Sequence, residues 1–262
     1  MKTLLVGDLH LKARLMLPII ERKTYELKCK RIIFIGDYVD DYFQEFNVEL
    51  FINDLNYLLN WKRKMESKGI NCIFLLGNHD AAYLTNQPRA YSLQDKNFFI
   101  KTRNLLFELE LQVAFRLDYY LVSHAGYCEG IEPEEWHFDK INREYISRID
   151  ELEKNVGISR GGSMFLGSPI WADFTRDLLV YPNPNYLCQI VGHTPVNKIE
   201  LTNNLNLIGI DTFNIHPTKV VTNIAFSGDG DLLAYDDGML EVIPTNWISA
   251  DTLNQFINYR IY

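Results

Sequence analysis

Cysteine is scarce in this chain and never clustered. The four, Cys29, Cys72, Cys128 and Cys188, lie far apart and form no CxxC pair. That excludes the zinc ribbons and thioredoxin-type redox sites that need paired thiols. Cys29, Cys72 and Cys188 sit in or beside apolar runs and are expected to be buried thiols. Positive charge is also short, with 26 Lys and Arg against 34 Asp and Glu, a formal charge of −8. Proteins that coat nucleic acid carry a basic surface, so nucleic acid is set aside as a partner. An enzyme that handles phosphate through a bound cation stays open, because the ion inverts the local field. No apolar stretch reaches the roughly 18 residues of a membrane-spanning helix, so no membrane partner is expected. The opening MKTLLVGDLH has a short apolar run broken by Asp8; it reads as a first strand and not as a signal peptide. Repeats, low-complexity segments and linkers are missing too. A cytoplasmic location is expected.

What is present is an ordinary globular composition, 47% hydrophobic and 23% charged over 262 residues. This leaves room for one large domain with a substantial core. Apolar runs at 3–6, 31–35, 71–76, 119–122, 189–191 and 205–210 have the continuous character of strands buried on both faces. Residues 48–68 carry apolar side chains spaced by threes and fours, a helix stripe that Asn47 can cap and Gly69 can end. A shorter helix is expected at 18–30. Strands and helices alternate over the first 76 residues, so the class is α/β. Helix is also expected within 97–109 and 138–154, and over 246–259. Residues 219–226, 232–235 and 239–243 read as antiparallel strands joined by SGDGD and DDG turns. The whole of 1–262 is expected to be one domain with irregular insertions near 81–117 and 127–167.

Chemistry-capable residues stand at the ends of the apolar runs. The first ends in Gly-Asp8-Leu-His10 and the second in Gly-Asp37-Tyr-Val-Asp40. The third ends in Gly-Asn78-His79-Asp80, the fourth in Ser-His124-Ala-Gly and the fifth in Gly-His193-Thr-Pro. In open α/β sheets, ligands bind beyond the carboxyl ends of strands, so five such ends can share one rim. Asp8 and His10 are two apart and point to one side of an extended segment. The glycines before Asp8, Asp37, Asn78 and His193 allow close backbone approach. Carboxylate, imidazole and amide oxygen without thiolate form a donor set for Mn, Fe or Zn. Taken singly, a Gly-Asp after a strand is a turn and a buried His is a core group. Five such motifs in order are not explained by turn chemistry.

The order GDxH, GDxxD, GNHD, HAG and GHT resembles the signature of the calcineurin-like metallophosphoesterases. The likeness covers about residues 1–215. It leans toward the bacterial and phage Ser/Thr protein phosphatases and the diadenosine tetraphosphatases, on GDYVD (36–40), SPIWADF (168–174), GHTPV (192–196) and LIGIDT (207–212). Pro195 stands where the nucleases and phosphodiesterases of the superfamily often carry a second histidine. The resemblance implies a four-layer α/β/β/α sandwich of two mixed sheets, with the antiparallel C-terminal strands in the second sheet. It implies two divalent metal ions, Mn first and Fe or Zn as alternatives. Asp8, His10 and Asp37 would hold one; Asp37, Asn78, His124 and His193 would hold the other. His79 would be the acid for the leaving oxygen, oriented by Asp40. The implied reaction is hydroxide attack at a binuclear centre on a phosphomonoester, with a Ser/Thr phosphoprotein as the substrate partner. A dinucleoside polyphosphate hydrolase is the alternative, and a catalytically inactive scaffold is the reading from another class. The retained ligand and acid residues speak against the last.

Two departures bear on the substrate. Leu11 replaces the glycine of GDxHG, and Asp41-Tyr42 replaces the Arg-Gly of GDxVDRG. The missing arginine would grip phosphate, and an acidic Asp41 facing the site would repel it. Either another arginine substitutes or the substrate is held differently. Arg14, Arg89, Arg160 and Arg176 are the candidates, with Arg176 preferred and Arg160 next. Trp171 is expected to pack beneath the site. SGDGD reads as a hairpin turn, and His137 and His216 as surface or packing residues. Oligomeric state is left open by the sequence.

Overall fold

The computed structural model describes residues 1–201, 206–217 and 224–260. Along the chain run β1 (Thr3–Val6), α1 (Ala13–Glu26), β2 (Arg31–Phe34), α2 (Val48–Ser67), β3 (Asn71–Phe74), α3 (Asn78–Leu84) and α4 (Lys96–Glu108). Next come β4 (Ala114–Leu117), β5 (Tyr120–Ser123), α5 (Ile146–Lys154), β6 (Gln189–Val191) and β7 (Leu207–Gly209). The last are β8 (Ile215–Pro217), β9 (Ile224–Phe226), β10 (Leu232–Asp236), β11 (Met239–Ile243) and α6 (Ala250–Arg260).

Two mixed sheets form the centre. One has the order β11-β10-β1-β2-β3 and the other β4-β5-β6-β7. In the first, β1, β2 and β3 are parallel and in register, Leu4 beside Ile32 and Ile32 beside Cys72. Alternation along each strand splits the side chains between two cores. Leu4, Val6, Ile32 and Phe34 pack against Leu17 and Ile20 of α1 and Leu55 and Leu58 of α2. Leu5, Ile33 and Ile73 face the other way and meet Val122, Ile190 and Ile208 of the second sheet. Burial on both faces is why these strands read as unbroken apolar runs. The outer face of the second sheet is covered by Ala172, Phe174 and Leu178 against Val191 and Leu207. That fourth layer is made of short helical turns, at Glu135–Phe138 and Phe174–Leu178, because glycines and prolines interrupt the segment.

Several expectations need correction. The C-terminal strands do not belong to the second sheet: β10 pairs antiparallel with β1 and β11 with β10, extending the first. The free edge of β1 accepts them, and Leu233 and Tyr235 join the core between the sheets. β8 and β9 form a separate ribbon. The SGDGD segment therefore links β9 to β10, which are not paired, and is no hairpin turn. The DDG turn does close the β10–β11 hairpin, with Asp237 and Gly238 both at positive φ. Of the strand expected at 219–226, residues 219–223 lie outside the described residues, as do 202–205 beside β7.

The first helix starts at Ala13, not at residue 18, and holds Pro18 inside it. Its first amides, Ala13 and Arg14, donate to the buried Asp54 carboxylate of α2 at 3.1 and 3.3 Å. A cap supplied from 40 residues away leaves no local signal. By contrast α2 begins where expected, because Asn47 Oδ1 accepts from the Leu50 amide at 3.1 Å. α5 fills only the second half of 138–154. Cys29, Cys72 and Cys128 are buried free thiols; Cys188 is only partly buried.

Candidate active site

β1, β2, β3, β5 and β6 deliver their following loops to one rim. Asp8, Asp37, Asn78 and His124 are buried there, and His10 is a quarter exposed. The loops are tight. His10, Asp37, Asp40 and His193 have φ of 42°, 52°, 59° and 61°, a region that non-glycine residues occupy at a cost and mostly at functional sites. Gly36, at φ +123°, allows the turn into Asp37; a Cβ there would lie 2.7 Å from both Gly77 N and His124 Nδ1. At Gly77 a Cβ would strike Asp37 Oδ1 at 2.0 Å. The glycines are needed because the ligand loops press on one another.

Hydrogen bonds offset the strain. The Leu9 and His10 amides donate to the Asp37 carbonyl at 3.1 and 2.7 Å. Asp80, which sequence reasoning left without a role, accepts from the amides of Asp37, Tyr38 and Gly77 at 2.8, 3.0 and 3.0 Å. It holds β2's loop to β3's. Its only local signal is its place as the third residue of a helix opening on Gly77. The His193 amide donates to Asp8 Oδ2 at 3.1 Å, tying the two sheets together.

The side chains converge as a donor set. His10 Nδ1 donates to the Asp40 carbonyl at 3.0 Å and His124 Nδ1 to the Ile35 carbonyl at 2.9 Å. Each ring is thereby fixed with Nε2 facing inward, the arrangement of a metal-ligating histidine. His10 Nε2 lies 3.6 Å, and His124 Nε2 3.4 Å, from Asp37 Oδ2. Two groups of donors close enough to hold a cation emerge, His10 with Asp37 and His79, and Asp37 with His124 and His193. Asp37 belongs to both. The Asn78 side-chain amide joins the set, one end lying 3.2 Å from Asp37 Oδ2, 3.0 Å from His124 Nε2 and 2.9 Å from His193 Nδ1. Carboxylate, imidazole and amide groups meeting this closely fit a divalent cation.

Without a cation, the cluster draws a proton. Burial works against a charged His124, but Asp37 and Asp8 outweigh it and push its pKa up to about 9. Burial holds His10 down at about 3 and His193 well below the usual imidazole range. Asp8 is raised, by burial first and then by Asp211. Burial also opposes the ionised form of Asp37, but His124 and His79 hold its carboxyl well below the usual range.

His79 stands beside this set. Its Nδ1 lies 2.9 Å from Asp40 Oδ2, and its amide donates to Asp37 Oδ1 at 2.9 Å. Burial lowers its pKa, but Asp37 and Asp40 outweigh that and raise it. Tyr83 and Ser92 were not found from sequence. The Tyr83 hydroxyl donates to Asp40 Oδ1 at 2.6 Å and Ser92 Oγ to Asp40 Oδ2 at 3.4 Å, so the carboxylate is clamped from behind.

The open cleft over these groups has a volume of about 350 Å³. Arg160 lines it, with Nη2 donating to Thr194 Oγ1 at 2.5 Å and Nε 3.1 Å from Asp173 Oδ2. Arg89 reaches the site from the other side. Its Nη1 is 3.2 Å from the Asn78 amide nitrogen, its guanidinium lies over Trp171 at 4.4 Å, and it pairs with the buried Glu153. Arg176, preferred from sequence, is exposed on the Phe174–Leu178 turn and does not line the cleft. Arg14 stands in the first turn of α1, over Tyr259, and does not line the cleft. Asp41 is buried and does line the cleft, but Lys12 Nζ lies 3.3 Å from its carboxylate, so it is no bare negative charge. Trp171 forms a wall and not a floor, edge-on to His193 at 5.8 Å. His137 is a buried packing residue, and His216 lies beside Tyr42.

Comparison with known proteins gives a match of family and of fold. The family model of the calcineurin-like phosphoesterases matches residues 1–209. A point mutant of a cold-active protein tyrosine phosphatase is 16% identical, with a TM-score of 0.57, covering 94% of this chain and 78% of its own. The cold-active protein-tyrosine phosphatase of a psychrophilic Shewanella species is 16% identical, with a TM-score of 0.54 over 92% and 80%. A protein serine/threonine phosphatase from Saccharomyces cerevisiae is 18% identical, with a TM-score of 0.52 over 93% and 79%. At these identities the likeness is one of fold. No curated protein matches the chain.

Proposed function

The chain belongs to the calcineurin-like phosphoesterase family and is a metal-dependent phosphoesterase; from that premise we propose that it hydrolyses phosphomonoesters at a binuclear centre, with Ser/Thr phosphoproteins as substrates. The carrying observation is an Asp37 shared by two donor groups, with the Asn78 side-chain amide beside it. Asp8, His10 and Asp37 would hold one ion, and Asp37, Asn78, His124 and His193 the other. Divalent ions there supply Lewis-acid polarisation of the phosphoryl oxygens. The set has oxygen and imidazole donors without thiolate, which favours manganese, with iron or zinc next.

The protein's own groups do the rest. His79, with Asp40 behind it, is placed to give a proton to the leaving oxygen, assistance worth about 10²–10⁴-fold. Arg160 and Arg89 take the phosphate-gripping role of the missing GDxVDRG arginine. Lys12 screens Asp41 so that a phosphate dianion can approach. A second reading, a dinucleoside polyphosphate hydrolase, is favoured by Tyr42, Tyr91 and Trp171 lining the cleft, which could face a base. The complete donor set speaks against an inactive scaffold. We read 1–262 as one domain with insertions near 81–117 and 127–167, since β10 and β11 complete the sheet that β1 begins. No helix among the described residues is long and apolar enough to cross a membrane. A cytoplasmic location is proposed with it, on four free cysteines.

The test is hydrolysis of p-nitrophenyl phosphate by chelator-stripped protein, with metal content measured per chain. Turnover that returns only with Mn²⁺, at two ions per chain, is expected. Full turnover in the stripped protein, or no ion bound, overturns the reading. Phosphoserine peptides set against dinucleoside polyphosphates then separate the two substrate classes.

A further inference from the structure

The loop that carries His10 runs straight into α1, and the first turn of α1 is anchored from outside the cleft. His10 and Leu11 are consecutive residues at positive φ, 42° and 55°. Such a pair costs free energy and persists only where its surroundings hold it. On the cleft side the His10 amide donates to the Asp37 carbonyl at 2.7 Å, and the Leu11 amide to the Tyr38 carbonyl at 3.2 Å. On the other side Lys12 occupies the N-cap of α1 without capping it through its side chain. Its Nζ turns back instead, to the His10 carbonyl at 3.1 Å and to Asp41. Asp54 of α2 supplies the cap: Oδ2 accepts from the Ala13 amide at 3.1 Å and Oδ1 from the Arg14 amide at 3.3 Å.

Asp54 is 1% exposed and sits among Leu50, Phe51, Leu55 and Leu58 on the buried stripe of α2. Burying a carboxylate costs free energy, and a Ser, Thr, Asp or Asn at position 12 would cap α1 without that cost. With Lys12 turned to the cleft, the cap comes from Asp54. The carboxylate is in turn held by the C-terminal helix. The Tyr259 hydroxyl donates to the same Oδ1 that the Arg14 amide uses. Burial raises the Asp54 pKa, and Tyr259 opposes this first, ahead of the two amides. The Arg14 guanidinium lies over the Tyr259 ring at 5.2 Å, and Phe256 and Leu253 seat α6 on the core shared with α1 and α2.

Apolar packing is non-directional and leaves a helix some freedom to slide. Two hydrogen bonds to one fixed carboxylate set where α1 begins. Only Leu11 and Lys12 separate that start from His10, whose Nε2 lies 3.6 Å from Asp37 Oδ2. A shift of the first turn therefore moves a donor. We propose that Asp54 and Tyr259 are positioning residues for His10, so that the C-terminal helix sets the geometry of the donor group formed by His10 and Asp37; this rests on the metal-site reading above.

The experiment reads metal binding apart from turnover. Mn²⁺ is titrated by calorimetry into full-length, chelator-stripped protein, and the wild type is expected to bind two ions. His10→Ala marks which of the two affinities depends on His10. Asp54→Asn should weaken that same affinity about ten-fold and Tyr259→Phe about three-fold, with the other affinity within two-fold of wild type. In Tyr259→Phe, kcat for p-nitrophenyl phosphate should fall at limiting Mn²⁺ and return at saturating Mn²⁺, with KM unchanged. Ile20→Val trims the buried face of α1 without touching Asp54; it should lower Tm comparably and leave both affinities unchanged. Should Asp54→Asn fail to fold, Tyr259→Phe decides alone, since it keeps both amide bonds to the carboxylate. Unchanged affinities in Tyr259→Phe, or an equal loss in Ile20→Val, overturn the positioning role. A wild type that binds no ion overturns the metal-site reading itself, and the positioning role with it, before any variant is compared.

Discussion

The rim of candidate ligands and the wall of the cleft opposite it are built in opposite ways. Each of the six candidate ligands stands within four residues of a strand end, from His124 directly after β5 to Asn78 four past β3. His10, Asp37 and His193 stand in turns at positive φ with their amides hydrogen-bonded. The wall opposite is assembled from Arg89, Arg160 and Trp171, which come from irregular stretches and are held by side-chain contacts with Glu153, Asp173 and Thr194. A rim fixed by backbone tolerates little change. A wall fixed by side chains can change its substrate without disturbing the metal chemistry.

The comparison breaks most sharply at Asp37. Asp37→Asn is expected to remove both ions and lower turnover by about 10³-fold or more, the several kcal/mol of metal polarisation. Normal metal content in that variant would show that Asp37 is not shared. His79→Gln should lower kcat about 10²–10⁴-fold while metal content per chain stays unchanged. Loss of metal would instead make His79 a ligand, as its place in the first donor group allows.

On the wall, Arg160→Ala should raise KM about ten-fold, the order of a charge-assisted bond to phosphate, with kcat within three-fold. Arg176→Ala, exposed and off the cleft, should change neither. Equal effects from the two would erase the distinction between wall and surface. A smaller effect is expected behind the acid. Tyr83→Phe removes a buried hydrogen bond to Asp40 and unpairs the Leu93 amide, costing about 1–3 kcal/mol of stability, read as a lower Tm, with a few-fold fall in kcat.

The rim also predicts a pH signature. His124 has a folded-state pKa raised to about 9, so its contribution is fully present below the usual imidazole value and lost as pH rises through 9. The raised carboxyls of Asp80, about 8, and Asp211, about 7, act in the same direction. Metal-free protein should therefore have a lower Tm at pH 9 than at pH 6.5. Metal-loaded protein should show a smaller fall, because the ion replaces the His124 proton. Parallel Tm curves for the two forms would show that the ion does not compete with that proton.

The parts of the molecule legible in sequence are those whose cause is local. Asn47 caps α2 from its own side chain, and the DDG turn closes a hairpin through two residues at positive φ. Asp8, Asp37, Asn78 and His193 each follow a glycine at the end of an apolar run. The start of α1 was illegible because Asp54 caps it across 40 residues. The sheet that takes β10 was illegible because nothing in 232–236 names β1 as its partner. Arg176 was favoured by its nearness to a motif, yet chain proximity does not aim a side chain.

The residue pattern is enough to say that buried strands end in carboxylates, imidazoles and an amide. Strand burial and turn chemistry are short-range and repeat at every strand end. The tertiary contacts settle that Asp37 stands in two donor groups, that the Asn78 amide meets them, that Lys12 lies against Asp41, and that Arg160 lines the cleft. Those outcomes depend on the packing of two sheets and on contacts between residues tens of positions apart, and no local pattern encodes such distances.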